Sequence, residues 1–153
     1  MDPKLSFQVV WQDDDMVEID VQVSNGEFSG RAQVYTSYDV INKLAKELTG
    51  FPKSSNDKTE FTAGERDSLS FLSIRFYSFD AAGHTALHAS MESNVPTEYR
   101  PEMKSKLQVE MQFEANQIDA FANRLLTMVK AQDGCAVLEG IRPYTQNIPH
   151  RST

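Results

Sequence analysis

The sequence predicts an α+β domain in which an antiparallel sheet of about six strands packs one face against two helices. Segments with apolar residues at alternate positions come in consecutive runs, which is typical of antiparallel strands joined by turns. Only two segments repeat apolar residues at steps of three and four, so two helices are expected. The predicted domain covers residues 1–140, and residues 141–153, with two prolines and no periodicity, are expected to form a loosely held tail.

The first three predicted strands form a meander. They cover Leu5–Trp11, Val17–Val23 and residues 28–35, with a turn at Asp13–Asp15 and a hairpin signal at Asn25-Gly26. The positions expected to face the core are Leu5, Phe7, Val9, Trp11, Val17, Ile19, Val21, Val23, Phe28, Ala32 and Val34.

The first helix is predicted to begin at Thr36, because a hydroxyl residue followed three positions later by Asp39 resembles a capping box. Gly50 stands where a left-handed residue commonly closes a helix. The polar segment Lys53–Arg66 is predicted to be a surface loop. The expected buried stripe consists of Val40, Ile41, Leu44, Ala45 and Leu48.

Three further strands are predicted after that loop. Leu69–Phe79 is apolar on both faces, as expected of a strand covered on both sides, and Thr85–Glu92 and Met103–Phe113 alternate. Asn116 is then expected to cap a second helix that ends at Asp133-Gly134. A short last strand at 135–138 is possible in this scheme. The expected stripe of the second helix is Ile118, Phe121, Ala122, Leu125 and Val129.

Composition favours a protein partner over nucleic acid or a membrane. The net charge of -7 does not suit binding to phosphates, which needs clustered lysine and arginine. No apolar run approaches the ~20 residues that span a bilayer, the single cysteine excludes an intrachain disulfide, and the amino terminus lacks the pattern of a signal peptide. We therefore expect a cytoplasmic protein with a basic partner, and leave open whether it forms a homo-oligomer.

The histidines of the stretch HTALH raise the question of a zinc site, since His84 and His88 are four residues apart. On a strand, residues at that spacing lie about 13 Å apart and cannot share one ion. The remaining histidine, His150, lies in the predicted tail. Cys135, in an apolar run, is expected to be buried and inert. We thus expect no metal and no cofactor, and no catalytic residues are assigned, although an enzyme is not excluded.

One group of side chains is a candidate for partner binding. Its members share one hairpin and a carboxylate charge, and they are Asp13, Asp14, Asp15, Glu18 and Asp20. A concentrated negative potential of this kind speeds association with a basic protein. The simpler interpretation is a solvated turn beside a polar sheet face.

Three stretches, "NGEFSGRAQVYTSYDVINKLAKELTGFPKS", "FDAAGHTALHASMES" and "ANQIDAFANRLLTMV", together resemble a bacterial group of small single-domain proteins of unknown function. Some of its members are labelled WapI-type immunity proteins. The resemblance implies the fold and a bacterial origin, and it implies no catalytic residues.

Two function hypotheses follow. The first is a non-enzymatic protein-binding domain, such as an immunity or antitoxin-like protein that covers the surface of a toxin-like partner. The alternative is a small enzyme or ligand-binding domain with a pocket between the sheet and the helices. A filled core would favour the first hypothesis, and an enclosed cavity with converging polar groups would favour the second.

Overall fold

A computed structural model describes residues 2–66, 70–95 and 100–142 of the chain. Within these residues the elements are β1 (Lys4–Gln12), β2 (Val17–Ser24), β3 (Ser29–Thr36), α1 (Tyr38–Leu48), β4 (Lys58–Gly64), β5 (Phe71–Ser78), β6 (Thr85–Glu92), β7 (Lys106–Phe113), α2 (Ala115–Ala131) and β8 (Cys135–Glu139). A short 3₁₀ turn at Pro101–Met103 precedes β7.

The α+β class with two helices is confirmed, but the strands form two sheets. Sheet A has the order β3-β2-β1-β8 and sheet B the order β4-β5-β6-β7, and every neighbouring pair is antiparallel. The described residues thus contain eight strands in place of the expected six or so. One of the additional strands, β8, occupies the segment 135–138 that the sequence offered as a short last strand; it follows α2 and pairs with β1, so both ends of the domain meet in sheet A.

The second additional strand, β4, lies inside the segment predicted to be a loop. Its alternation rests on two inward residues, Phe61 and Ala63, which are 2% and 7% exposed. The surrounding serine, asparagine, aspartate and lysine residues hide this short pattern from a reading of composition. The ring of Phe61 lies 5.2 Å from that of Phe7 on β1, so this buried aromatic side chain contributes to anchoring β4, which also pairs with β5 along its length.

A single apolar core joins the two sheets and both helices. Phe7 of β1 contacts Phe61 of β4 and meets Phe121 of α2 edge to face at 5.7 Å. The buried helical residues are Ile41, Leu44, Ala45 and Leu48 on α1 and Ile118, Phe121, Ala122, Leu125 and Met128 on α2. The predicted stripes are therefore confirmed except at two positions: Val40 is exposed and Val129 is only partly buried.

The ends of the helices differ from the predicted caps by one or two residues. Ser37 caps α1 by accepting a hydrogen bond from the backbone N–H of Val40, one position after the expected Thr36. The cap position of α2 is Glu114, without a side-chain bond, so Asn116 lies within the first helical turn. Gly50 adopts the expected positive φ of 72°, and its N–H donates to Asp119 of α2 at 2.8 Å.

The strands β5 to β7 follow the predicted pattern with local exceptions. The segment Thr85–Glu92 is a strand with the expected bounds. The prediction that both faces of β5 are buried is wrong toward its end, where Tyr77 is half-buried and Phe79, just after the strand, is exposed. Met103 is also exposed, because it belongs to the 3₁₀ turn and not to β7. Leu69 lies outside the described residues.

The start of the predicted tail makes specific contacts. The backbone N–H of Ile141 donates to Gln112 of β7 at 2.8 Å, and Arg142 pairs with Asp2 at 2.9 Å. Residues 143–153 lie outside the described part of the chain, so the expectation of a loosely held tail is not tested there. Neither helix in the described ranges combines the length and the apolar character needed to span a membrane.

Candidate functional site

A β-bulge in β1 turns a tryptophan outward. Val9 pairs with Ile19, but the next pair is Trp11 with Glu18, so Val10 is an extra residue on β1. An unbroken register would place Trp11 opposite Val17 on the core side, as the alternation of the sequence predicted. The bulge instead gives Trp11 the outer face of sheet A, where it is 48% exposed.

Three paired residues therefore form a row across the outer face of sheet A. Glu18 of β2 lies between Trp11 of β1 and Tyr35 of β3. The two rings meet edge to face at 6.1 Å. The charge of Glu18, together with a hydrogen bond from the tyrosine hydroxyl, raises the pKa of Tyr35. Tyr35 and the neighbouring Met16 remain 43% and 45% exposed.

The turn Asp13–Asp15 lies between Trp11 and Glu18 in the chain, and its three carboxylates have different roles. Asp13 Oδ1 accepts hydrogen bonds from the N–H groups of Met16 and Asp15 at 2.8 and 2.9 Å. These bonds, the one from Met16 first, lower the pKa of Asp13, so this residue builds the turn. Asp14 and Asp15 are exposed. We call the surface of Trp11, Asp13–Asp15, Met16, Glu18 and Tyr35 the aromatic–acidic face.

Asp20 does not belong to this face in the way the sequence predicted. It is only 5% exposed, and Arg31 Nε of β3 donates to its two carboxylate oxygens at 2.8 and 2.9 Å. Asp20 pairs with Gln33, and Arg31 lies two residues away on the same face of β3, so its long side chain reaches the shorter carboxylate diagonally. The charge of Asp20 is thus compensated within sheet A, and this member of the predicted group is not presented to solvent.

An open groove of about 610 Å³ extends from the aromatic–acidic face along β3. Arg31, Gln33 and Tyr35 line one side of it. Gly64 and Ser93, at the ends of β4 and β6, line the opposite side. We refer to it as the β3 groove, and to its far side as the groove wall.

The groove wall is fastened by a buried lysine. The side chain of Lys104 is 1% exposed, and its Nζ donates to the backbone carbonyls of Arg66 and Ser93 at 2.7 and 2.9 Å. Glu92, also buried, lies 3.9 Å from the same ammonium and accepts a hydrogen bond from the Arg66 guanidinium at 2.6 Å. Charge-assisted bonds therefore hold the backbone at Ser93 of the groove wall and at Arg66 beside it.

The structure separates the residues that the sequence suggested for a metal or nucleophile site. His88 lies on β6, whereas His84 lies in the preceding turn, with Nδ1 2.6 Å from Asp80 Oδ2. That hydrogen bond is the main cause that lowers the pKa of Asp80. In residues 2–66, 70–95 and 100–142, no three histidine, cysteine or acidic side chains lie close enough together to hold a metal ion. His150 lies outside these ranges.

Cys135 corrects another expectation, because it is exposed. The alternation of β8 buries Ala136 and Leu138 and turns Cys135 outward. No sequence pattern predicted the β3 groove or the burial of Lys104. These depend on how two distant loops meet, and no local pattern encodes that meeting.

No protein-family model matches this chain, and comparisons with curated proteins and with solved structures gave no match. The resemblance to WapI-type immunity proteins therefore remains a prediction.

Proposed function

We propose that this protein is a non-enzymatic protein-binding domain whose aromatic–acidic face covers a basic surface of a partner protein. The observation that carries the proposal is the row of Trp11, Glu18 and Tyr35, which holds two large rings at the surface near the exposed turn Asp13–Asp15. Tryptophan and tyrosine supply much of the binding energy of protein interfaces. Their exposure on the single chain is best explained by a surface that another protein covers.

Charge supports a basic partner. Asp14 and Asp15 are exposed in the turn between β1 and β2, close in sequence to Trp11, and the chain as a whole carries a net charge of -7. Such a field attracts lysine and arginine side chains and speeds their encounter. The combination of an aromatic centre and an acidic border suits an immunity or antitoxin-like protein that neutralises a toxin-like partner, which is the label that some members of the resembling group carry.

The packing of the interior supports a binding role over a pocket for a small molecule. The space between the sheets and the helices is occupied by buried apolar side chains from all of these elements. The β3 groove lies outside that space and opens to solvent. The alternative hypothesis requires a pocket between sheet and helices.

A charge-reversal experiment tests the acidic part of the face. The wild-type chain is used to purify a partner from the native bacterium, and association rates are then measured at two salt concentrations. We expect Asp14→Lys with Asp15→Lys to slow association by about tenfold at low salt and to weaken its salt dependence. The matched control, Glu27→Lys with Glu139→Lys, changes the net charge equally at the opposite end of sheet A. Equal slowing by both pairs would contradict the proposal.

An aromatic substitution tests the centre of the face. Trp11→Ala is expected to weaken binding by ~2 kcal/mol, chiefly through faster dissociation, because an interface anchor is removed. Phe28→Ala is the control, since Phe28 is 62% exposed in the hairpin at the other end of β2. Circular dichroism must show that both variants remain folded. An unchanged dissociation rate for Trp11→Ala would place the interface elsewhere.

A further inference from the structure

In residues 2–66, 70–95 and 100–142, no backbone hydrogen bond joins the outer edge of β3 to another segment, whereas the outer edges of β8 and β7 accept hydrogen bonds from elsewhere in the chain. At β8, Arg124 of α2 donates to the Val137 carbonyl at 2.6 Å. At β7, Ile141 bridges to Gln112. The strand β4 packs against α1, and β3 itself packs against β4, β5 and β6 of sheet B without backbone pairing. Proteins usually protect sheet edges, because unpaired backbone groups there can recruit another strand.

The hydrogen-bond pattern of the β2–β3 hairpin shows which groups of β3 face outward. The bond from Asn25 N–H to the Phe28 carbonyl closes the hairpin at 3.2 Å. Hydrogen-bonded and non-hydrogen-bonded pairs then alternate along the ladder, so Gly30, Ala32 and Val34 exchange bonds with β2. The N–H and C=O groups of residues 31, 33 and 35 consequently point away from β2, toward the β3 groove.

The groove has the dimensions of a short strand. From residue 31 to residue 35 the edge extends for about 13 Å, which corresponds to about five extended residues. Lys104 holds the backbone carbonyls of Arg66 and Ser93 on the far side of the groove, so the described part of the wall is in place before any ligand binds. A preformed site loses little conformational entropy on binding.

We propose that the β3 edge accepts an extended segment of the partner protein as a fifth strand of sheet A. The segment is basic, because the groove is continuous through Met16 and Glu18 with the carboxylates of the aromatic–acidic face. Arg31, the cation on the groove side of β3, is already paired with Asp20. This assignment of a basic segment rests on the function proposed above. Backbone pairing supplies affinity, and lysine or arginine at alternate positions supplies selectivity.

Amide exchange followed by NMR tests the backbone pairing directly. The probe is a capped heptapeptide of alternating threonine and lysine, and its control is the same peptide N-methylated at every interior amide. In the free protein we expect the amides of Arg31, Gln33 and Tyr35 to exchange at least about tenfold faster than those of Ala32 and Val34. At saturating peptide they should slow by about tenfold or more, whereas the methylated peptide should leave them unchanged. Equal effects of the two peptides would overturn the proposal.

A proline substitution provides a second test. Gln33→Pro removes one outward N–H while the bonds of Ala32 and Val34 to β2 remain, and Gln33→Ala keeps the backbone donor. Peptide affinity should fall by about tenfold for the proline variant and stay unchanged for the alanine variant. Equal affinities in the two folded variants would overturn the proposal, and the exchange experiment on the wild-type chain decides the matter if the proline variant does not fold.

The outcomes separate this proposal from the proposed function. Protection of the β3 amides that is insensitive to Asp14→Lys with Asp15→Lys would retain the edge site and refute the basic partner. Charge-dependent binding without protection of these amides would retain the partner and refute the edge site. Slow exchange in the free protein that disappears on dilution, with a dimer in sedimentation, would assign the edge to a second copy of the chain and overturn the proposal.

Discussion

Replacing Lys104 by methionine is the most informative test of how the groove wall is held. Methionine has nearly the length of lysine and is apolar, so it fills the same space without an ammonium group. The substitution removes the bonds to the carbonyls of Arg66 and Ser93 and the nearby positive charge for Glu92. Glu92 keeps the hydrogen bond from Arg66, which prevents a fully unpaired carboxylate.

The expected loss follows from these contacts. Each hydrogen bond from a charged donor contributes about 1.5–3 kcal/mol to stability. The cost of removing the ammonium of Lys104 from water offsets part of this sum. The attraction to Glu92 across 3.9 Å is a smaller contribution, because no hydrogen bond accompanies it. We therefore expect Lys104→Met to lower the free energy of unfolding by ~3 kcal/mol. For a chain of this length that corresponds to a fall in Tm of roughly 6–12 °C.

Urea unfolding followed by circular dichroism measures this change. Lys43→Met is the control, since Lys43 is exposed on α1 and its loss should change the free energy by less than about 0.5 kcal/mol. A double variant, Lys104→Met with Glu92→Gln, should recover part of the loss, because it removes the carboxylate that the lysine faces. A loss below about 1 kcal/mol in the single variant would refute the view that Lys104 fastens the groove wall.

Three further predictions concern the fold. Gly64→Ala should destabilise the protein more than Gly50→Ala. Both glycines have positive φ, but a Cβ at Gly64 would lie 1.9 Å from a backbone carbonyl oxygen, whereas a Cβ at Gly50 would meet nothing within 4 Å. Equal losses of unfolding free energy in urea would contradict that contact. Phe121→Ala should lower the free energy of unfolding by ~3–5 kcal/mol, against less than about 0.5 for exposed Val40→Ala, and a small effect would show that Phe121 is not a core residue. Burial first, and a neighbouring carboxylate second, raise the pKa of Tyr77 to about 12, so its contribution to stability is lost as pH rises from 10 to about 12. Tyr77→Phe should flatten this fall and remove an absorbance step at 295 nm near pH 12, and an unaltered titration would refute the shift.

Long periodic segments made much of the fold predictable. The alternation of Thr85–Glu92 predicted a strand with the observed bounds. On that strand and the turn before it, His88 and His84 are not on one helical face, which a shared zinc ion would require. The stripe of α2 is equally direct, because Phe121 and Leu125 can both be buried only on one helical face. In these segments local pattern and tertiary packing agree.

The prediction was wrong where only a few residues determine the local structure. β4 depends on Phe61 and Ala63 amid polar neighbours, and a period cannot be read from two positions. Asp20 looks like its neighbour Glu18 in the sequence, and only the placement of Arg31 on the adjacent strand distinguishes them. The division of the strands into two sheets likewise depends on pairing partners, which the sequence pattern of one strand does not identify.

The candidate site arises from such a departure. The period of β1 assigns Trp11 to the core with Leu5 and Phe7, and one additional residue, Val10, reverses that assignment. A bulge interrupts the ladder and leaves a residue unpaired, so its persistence requires compensation. The outward position of Trp11 receives some, through its contact with Tyr35. Nearly half of the tryptophan surface nevertheless remains in water, although burial of a large ring would contribute more to stability. A bulge that moves the single tryptophan of the chain from core to surface, beside carboxylates and an open strand edge, is better explained by recognition of a partner than by folding alone.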